Sequence, residues 1–439
     1  MINIKDYGAT GKADQLCTKI IQQEIDRGAA RGGETICFPA GIYLTGTIHL
    51  KSNITLHLEN GAVLLGSPDQ KDYNADDFCP QNRVFASEQV SGAHFITAVE
   101  QHNISIRGGR IDGNRQAFFG EINPEAPHKF RIDGWRPGQM VFLCECENVT
   151  IENSELYHAP YWTCFLHGCE NVNIHGLRIR NDQHTPNGDG IDIDCCRFVC
   201  ISDCIIDSGD DCITLRGSVT PLKKQRDCEY VTITNCILST NCNAFRIGVG
   251  TGRIHSCTIS NIIFHNTRHA ICFVSAYSQK SPGVLIEDIS MSNLMINAER
   301  AIVLKTSNFG PTDEETPGKP IRRIAFRGLR GTVSRGSYIT GSKENPIEDV
   351  ILDDISLVCT GGEYLESDEP RRKYMPMEFI PAAFYLEYTD NITFRNLKLD
   401  WQTESTLWKY GILTANSTNF SGENMHSGKT DCLGCSSQK

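Results

Sequence analysis

A chain of 439 residues with a formal net charge of −11, 22% charged residues and no basic cluster interleaved with aromatics is not a general nucleic-acid binder. It has no run of about 18 apolar residues and no basic-then-apolar opening segment, so a cytoplasmic protein with no membrane partner is expected. Its 20 cysteines would suggest a disulfide framework in a small secreted domain, but Cys144, Cys146, Cys164, Cys204, Cys236 and Cys257 sit inside apolar strand patterns, where reduced thiols pack as small hydrophobes.

Residues 18–31 place Ile20, Ile21 and Ile25 on one helical face, which predicts a short N-terminal helix capping the first turn of the fold. Strands are predicted over 34–65, broken at Pro39-Ala40-Gly41 and Asn60-Gly61. Residues 67–140 carry polar, proline-containing loops suited to a groove wall. A short motif then recurs: apolar-x-apolar, one free residue, then Asn, Asp or Gly. It starts at Ile104, Val149, Val172, Val199, Val231, Cys257, Val284, Ile324, Val350 and Ile392. Starts from Val149 to Val284 are 23, 27, 32, 26 and 27 residues apart, and later gaps of 40, 26 and 42 imply inserted loops. Asn, Asp and Gly tolerate a left-handed backbone, so each unit is two short strands joined by a sharp bend. One unit cannot bury its apolar face alone, and stacking solves that. The predicted fold is all-β, a right-handed parallel β-helix (a solenoid of about ten or more coils). It forms one domain over 1–425, followed by an unanchored tail, 426–439. The tail's Cys432 and Cys435 form a lone CxxC with no matching second pair, so neither a metal nor another cofactor is expected.

Acidic residues concentrate at 187–217, NGDGIDIDCCRFVCISDCIIDSGDDCITLRG. Asp189 stands beside Asn187, and the adjacent pair Asp210 and Asp211 begins 21 residues later. In a chain wound in coils of similar length, that spacing stacks one carboxylate above another. Convergent carboxyls suit cleavage of a glycosidic bond: one protonates the leaving oxygen and another activates water. Three close carboxyls cannot all be ionised cheaply, so one should keep a proton. Neighbouring strand residues face opposite sides, so Asp210 and Asp211 share a site only if the backbone bends, which Gly209 would permit. The plain alternative is that these Asp and Gly residues only make turns.

The opening DYGATG, the segment PAGIYLTGTIHLKSNITLHLENGAVLLGS, GGRIDGN at 108–114, NGDG at 187–190 and GDDC at 209–212 resemble glycoside hydrolase family 28, the polygalacturonases, in its bacterial exo-acting branch. The resemblance spans nearly all of 1–400. It implies an inverting hydrolase of α-glycosidic bonds in pectin-derived, galacturonate-containing oligosaccharides. Asp210 would be the general acid, and Asp189 with Asp211 would hold and deprotonate the water. Two family motifs are altered. The Gly-His-Gly region reads NCNAFRIGVGTG, with Asn243 at the histidine position, and Arg-Ile-Lys becomes Val303-Leu304-Lys305. Lys305 is then expected on the substrate, with Arg246, Arg268 or Arg216 supplying the missing cation, and Asn187, His184 and Asp192 lining the site. Tyr161 and Trp162 either stack on a sugar or pack in the core. Other readings are a β-solenoid lyase whose acids hold Ca²⁺, a non-catalytic carbohydrate-binding solenoid, or a rhamnose-directed hydrolase.

Overall fold

The computed structural model describes residues 1–277, 281–307, 317–361 and 381–435. They group into two compact units, Met1–Ile213 with Thr220–Arg226, and Thr214–Val219 with Asp227–Lys439.

In the first unit a helix spans Thr18–Ala30 with Ile21 and Ile25 fully buried. The left-handed Gly32 and Gly33 then carry the chain out of it. The rest winds into three parallel ladders. Ile96–Val99, Val141–Cys144, Cys164–His167 and Ile191–Asp194 stack in one. His102–Asp112, Glu147–Glu152, Glu170–His175 and Arg197–Ser202 stack in the second. Glu155–Tyr157, Arg178–Arg180 and Ile205–Ser208 continue the third from the far end of His102–Asp112. Residues two apart share a face, so Val149 with Ile151, Val172 with Ile174, and Val199 with Ile201 point inward and are all buried. Each such side chain contributes about 1.5–3 kcal/mol.

Sharp corners separate the ladders, and the recurring Asn, Asp or Gly marks one of them. Gly108, Asn153, Gly176 and Asp203 are all left-handed. Two further left-handed corners carry a broken sequence signal, since Phe198, Glu100, Glu145 and Cys195 stand among their residues. One runs Asn103, Asn148, Asn171, Phe198, and the other Glu100, Glu145, Gly168, Cys195. At the first of these, Asn148 donates its amide to Asn103 (3.0 Å), and Asn103 to Asn53 (2.7 Å). The loop-rich stretch 67–140 also holds an element with no warning in the sequence, an antiparallel hairpin of Phe119–Asn123 and Ala126–Ile132.

The second unit repeats the plan with long bent strands, Cys228–Gly250, Arg253–Val274 and Leu285–Lys305. Ile321–Val333, Ile347–Cys359 and Thr389–Trp401 follow them. Register runs Val231, Cys257, Ile289, Ile324, Val350, Ile392. The repeat assigned to Val284 is therefore displaced: the in-register start is Ile289, and Asp288 is the corner residue equivalent to Ser256, left-handed like it. The tail expected from 426 is also corrected. Thr430–Cys435 pairs in parallel with Tyr410–Ala415, so the winding continues to Cys435. Of the CxxC pair, Cys432 is disulfide-bonded and the side chain of Cys435 lies outside the described residues.

Eighteen described cysteines are free thiols, most of them buried, with Cys200 exposed and Cys79 and Cys242 half-buried. Cys146, Cys169 and Cys196 follow one another at the end of one corner, and the hydrogen bond with the Cys169 thiol, together with burial, holds the Cys146 pKa well above its ordinary value. No helix among the described residues is long and apolar enough to cross a membrane.

Candidate active site

The acid residues all lie in the first unit. Gly190 N–H donates to the Asp211 carbonyl (2.8 Å) and Ile191 N–H to the Cys212 carbonyl (2.9 Å), so the 189–191 and 211–212 passes run side by side. On the opposite edge Thr163 N–H donates to the Asp189 carbonyl (2.9 Å). Asp189 is thus gripped between neighbouring passes, 5% exposed. The chain bends at 209–210 and again at 212, and Ser208 Oγ donates to the Asp210 carbonyl (2.8 Å). The bend defeats the alternation of an ideal strand: one carboxylate oxygen each from Asp210 and Asp211 lie within 4.8 Å of one another. Asp211 is 9% exposed, and Asp210 is half-buried.

Gly209 sits at the expected bend and contributes something more. Its backbone is not left-handed, and what it supplies is closeness. A Cβ there would stand 2.4 Å from the Thr185 carbonyl oxygen, and its N–H donates to Gly188 (3.0 Å). At Gly190 a Cβ would meet the Cys212 carbonyl oxygen at 2.4 Å. The glycines of both acidic motifs are required because the two passes touch.

Around this core the other sequence candidates separate. Asn187 is left-handed (φ 56), and its Oδ1 accepts from Arg136 Nη2 (3.2 Å). His184 is exposed. Its ring bonds Asp182 (2.9 Å) and stands edge-on to Phe130 of the hairpin, whose N–H donates to the His184 carbonyl (2.8 Å). Burial pushes the Asp182 carboxyl up, but hydrogen bonds from the His184 backbone and ring outweigh it and hold the pKa below the usual range. His184 therefore docks the hairpin to the 182–185 loop. Asp192 is wholly buried. Tyr161 and Trp162 stack on one another (5.0 Å), and Trp162 packs edge-on to Phe165 (5.2 Å), so both rings serve the core. A cavity of about 750 Å³ opens beside Asn187, lined by Glu88, Gln89, Lys129, Arg131 and Pro186 among others. Deeper in this unit His167, Asp194 and Cys195, all buried, bring their donor atoms within 4.8 Å of one another, a set that would suit zinc.

The second unit, taken alone, carries a concentration of cations. Asn243 is in register with His269, whose ring Nδ1 bonds the Asn243 amide oxygen (2.8 Å). Burial pushes the His269 pKa well below its ordinary value, and the charges of Arg268, Arg300, Arg246 and Arg335 add to that. Arg246 lies over the Tyr277 ring (5.5 Å) and Arg300 over Tyr338 (5.3 Å). Lys305 ends the strand Leu285–Lys305, 6% exposed, while Arg216 and Arg268 are half-buried. Reading the sequence for a histidine at the Asn243 position missed His269, Arg300 and Arg335. The available signal was spacing, since His269 follows Asn243 by 26 residues, the same step that separates Val231 from Cys257.

Comparison with known proteins bears on the family and the fold. The sequence model described as Glycosyl hydrolases family 28 matches residues 35–374. A probable polygalacturonase of Vitis vinifera is 30% identical over 49% of this chain and 44% of its own length. An exo-poly-alpha-D-galacturonosidase of Dickeya chrysanthemi is 26% identical over 94% of this chain and 73% of its own. The match thus spans less than half of the grape protein. In three dimensions the family 28 exopolygalacturonase of Yersinia enterocolitica is similar with a TM-score of 0.71 at 19% identity, covering 95% of this chain and 78% of that one, and so shares the fold.

Proposed function

The chain belongs to glycoside hydrolase family 28, and on that premise we propose that it is an inverting, exo-acting glycosidase of pectin-derived oligosaccharides that contain galacturonate. Asp210 is the general acid, protonating the departing glycosidic oxygen. Asp189 and Asp211, on neighbouring passes, hold the attacking water and take its proton. The observation that carries this reading is the bend at 209–212, which turns two consecutive carboxyls to within 4.8 Å beside the pass that holds Asp189.

Binding of an acidic sugar is supported by the cations around His269. Arg246, Arg268 and Lys305 are assigned to substrate carboxylates, with Arg216 as a further fork and Asn243 as a hydroxyl partner oriented by His269. Exo action is supported by the hairpin beside Asn187, which walls a cavity of a size to hold one end of an oligosaccharide. The helix Thr18–Ala30 closes the first coil in this reading. An intracellular site of action, on imported fragments, is supported by the many free thiols.

The test is incubation with a panel of pectic oligosaccharides, with products read by mass and reducing end. Release of single galacturonate residues is expected. Release only of dimers or longer pieces sinks exo action, an unsaturated product absorbing in the ultraviolet means elimination, and no cleavage of any member sinks the hydrolase reading.

A further inference from the structure

Arg136 is wholly buried, and its surroundings are unusual for a buried cation. A guanidinium offers five N–H donors in a fixed fork, and here five bonds are made. Nε donates to the Gln89 carbonyl (3.3 Å). Nη1 donates to the carbonyls of Pro160 (2.9 Å) and Pro186 (2.7 Å). Nη2 donates to the Glu88 carbonyl (2.7 Å) and to Asn187 Oδ1 (3.2 Å). Four acceptors are backbone carbonyls and the fifth is a side-chain amide, so the group binds segments of chain and makes no carboxylate pair among these five. The face of the guanidinium lies 4.9 Å from the Tyr161 ring centroid and 5.6 Å from that of Phe119.

The segments it joins are the ones the chemistry needs fixed. Glu88 and Gln89 form one wall of the cavity, Pro186 and Asn187 another, and Asp189 follows two residues later. Asn187 is left-handed and Gln89 also (φ 54), and each is a corner that a single bond at its flank can lock or release. Burial pushes the Arg136 pKa down to about 10, while the charges of Tyr161, Glu88 and Asp189 act the other way, which places Asp189 within its electrostatic reach.

We propose that Arg136 is a positioning residue for the proposed reaction, pinning the 186–189 loop to the 88–89 wall so that Asp189 faces the bond to be cleaved. The inference rests on the functional reading above. It acts through carbonyls and the Asn187 amide and needs no contact with the sugar. A lysine cannot replace it, because an ammonium has three donors and cannot reach five acceptors lying around a plane.

The experiment compares wild type with Arg136→Lys, Arg136→Ala and Asn187→Ala on the same oligosaccharide, with melting temperature recorded for each. Arg136→Lys is expected to melt cooperatively and to lose about 100-fold in kcat with KM changed less than about threefold, since a misplacement of about 1 Å costs that much. Millimolar guanidinium should restore part of the kcat of Arg136→Ala, and methylammonium should not. Should the arginine variants fail to fold, Asn187→Ala, which keeps the buried cation, is expected to lower kcat more than it raises KM. An active wild type whose Arg136→Lys form keeps kcat within twofold overturns the inference. So does a folded Arg136→Ala that guanidinium leaves unchanged, or an Asn187→Ala that alters KM alone. A wild type inactive on every pectic oligosaccharide defeats the functional reading instead, and the two failures are told apart by that control.

Discussion

Asn148 and Asn187 share a backbone conformation, φ 55 and 56, and differ in what their side chains meet. Asn148 donates to Asn103 on the preceding coil, and a ladder of the same kind runs along another corner in the second unit, where Asn261 donates to Asn235 and Asn293 to Asn261. Asn187 instead accepts from a buried arginine and leads into an acid residue. The laddered corners satisfy one another wherever one asparagine falls above another. The corner at 187 has no counterpart to bond to and depends on groups brought from elsewhere in the unit. Repetition in this chain marks scaffold, and departure from repetition marks chemistry.

Substitutions can break that contrast, and the largest effect is expected at the acid pass. Asp210→Asn should lower kcat about 10³- to 10⁴-fold while its melting temperature stays near that of wild type. A comparable loss of stability without loss of rate would reverse the distinction. Gly209→Ala comes next, because its Cβ would press on the Thr185 carbonyl oxygen at 2.4 Å. Overpacking of this kind costs about 1–3 kcal/mol, and here the displaced pass carries Asp210, so activity should fall further than the stability change implies.

A buried group away from both kinds of corner sharpens the comparison. Burial pushes the His94 pKa from 6.5 down to about 3, with its ring stacked on Phe142 at 4.4 Å and bonded to Gln139 and Asn82. The unfolded chain takes up this proton first as pH falls. The contribution is therefore intact above about pH 6.5 and declines toward pH 3, by about 1.4 kcal/mol per unit. Melting temperature against pH should be flatter in His94→Gln over that window, and parallel curves would refute the assignment. The smallest effect on activity is expected at a ladder rung: Asn261→Ala should cost about 2 kcal/mol of stability, for a left-handed alanine and the lost bonds to Asn235 and from Asn293, with kcat unchanged in the activity assay.

These differences explain what the sequence discloses and what it conceals. Parallel winding is legible because Val149, Val172 and Val199 repeat with a left-handed-tolerant residue four positions on. The other corners are not, because Phe198, Tyr230, Ser256 and Arg323 hold the same conformation with residues that give no turn signal. Asp189, Asp210 and Asp211 stand out through their spacing and motifs. Arg136 and His269 do not, since each acquires its meaning from partners about 50 and 26 residues away, as with Asn187 and Asn243. Gly209 was visible, but as a hinge, and only the packing shows it to be a point of contact.

The free thiols give the molecule a gauge of its own integrity. Cys200 alone is fully exposed among the described free cysteines, so of these a sulfhydryl dye should label Cys200 quickly, half-buried Cys79 and Cys242 more slowly, and the buried ones hardly at all in the intact protein. Further labelling waits for strands to part, and its rate reports how often they do. Damage, heat or a poorly chosen substitution would register as extra dye before any loss of catalysis was measured.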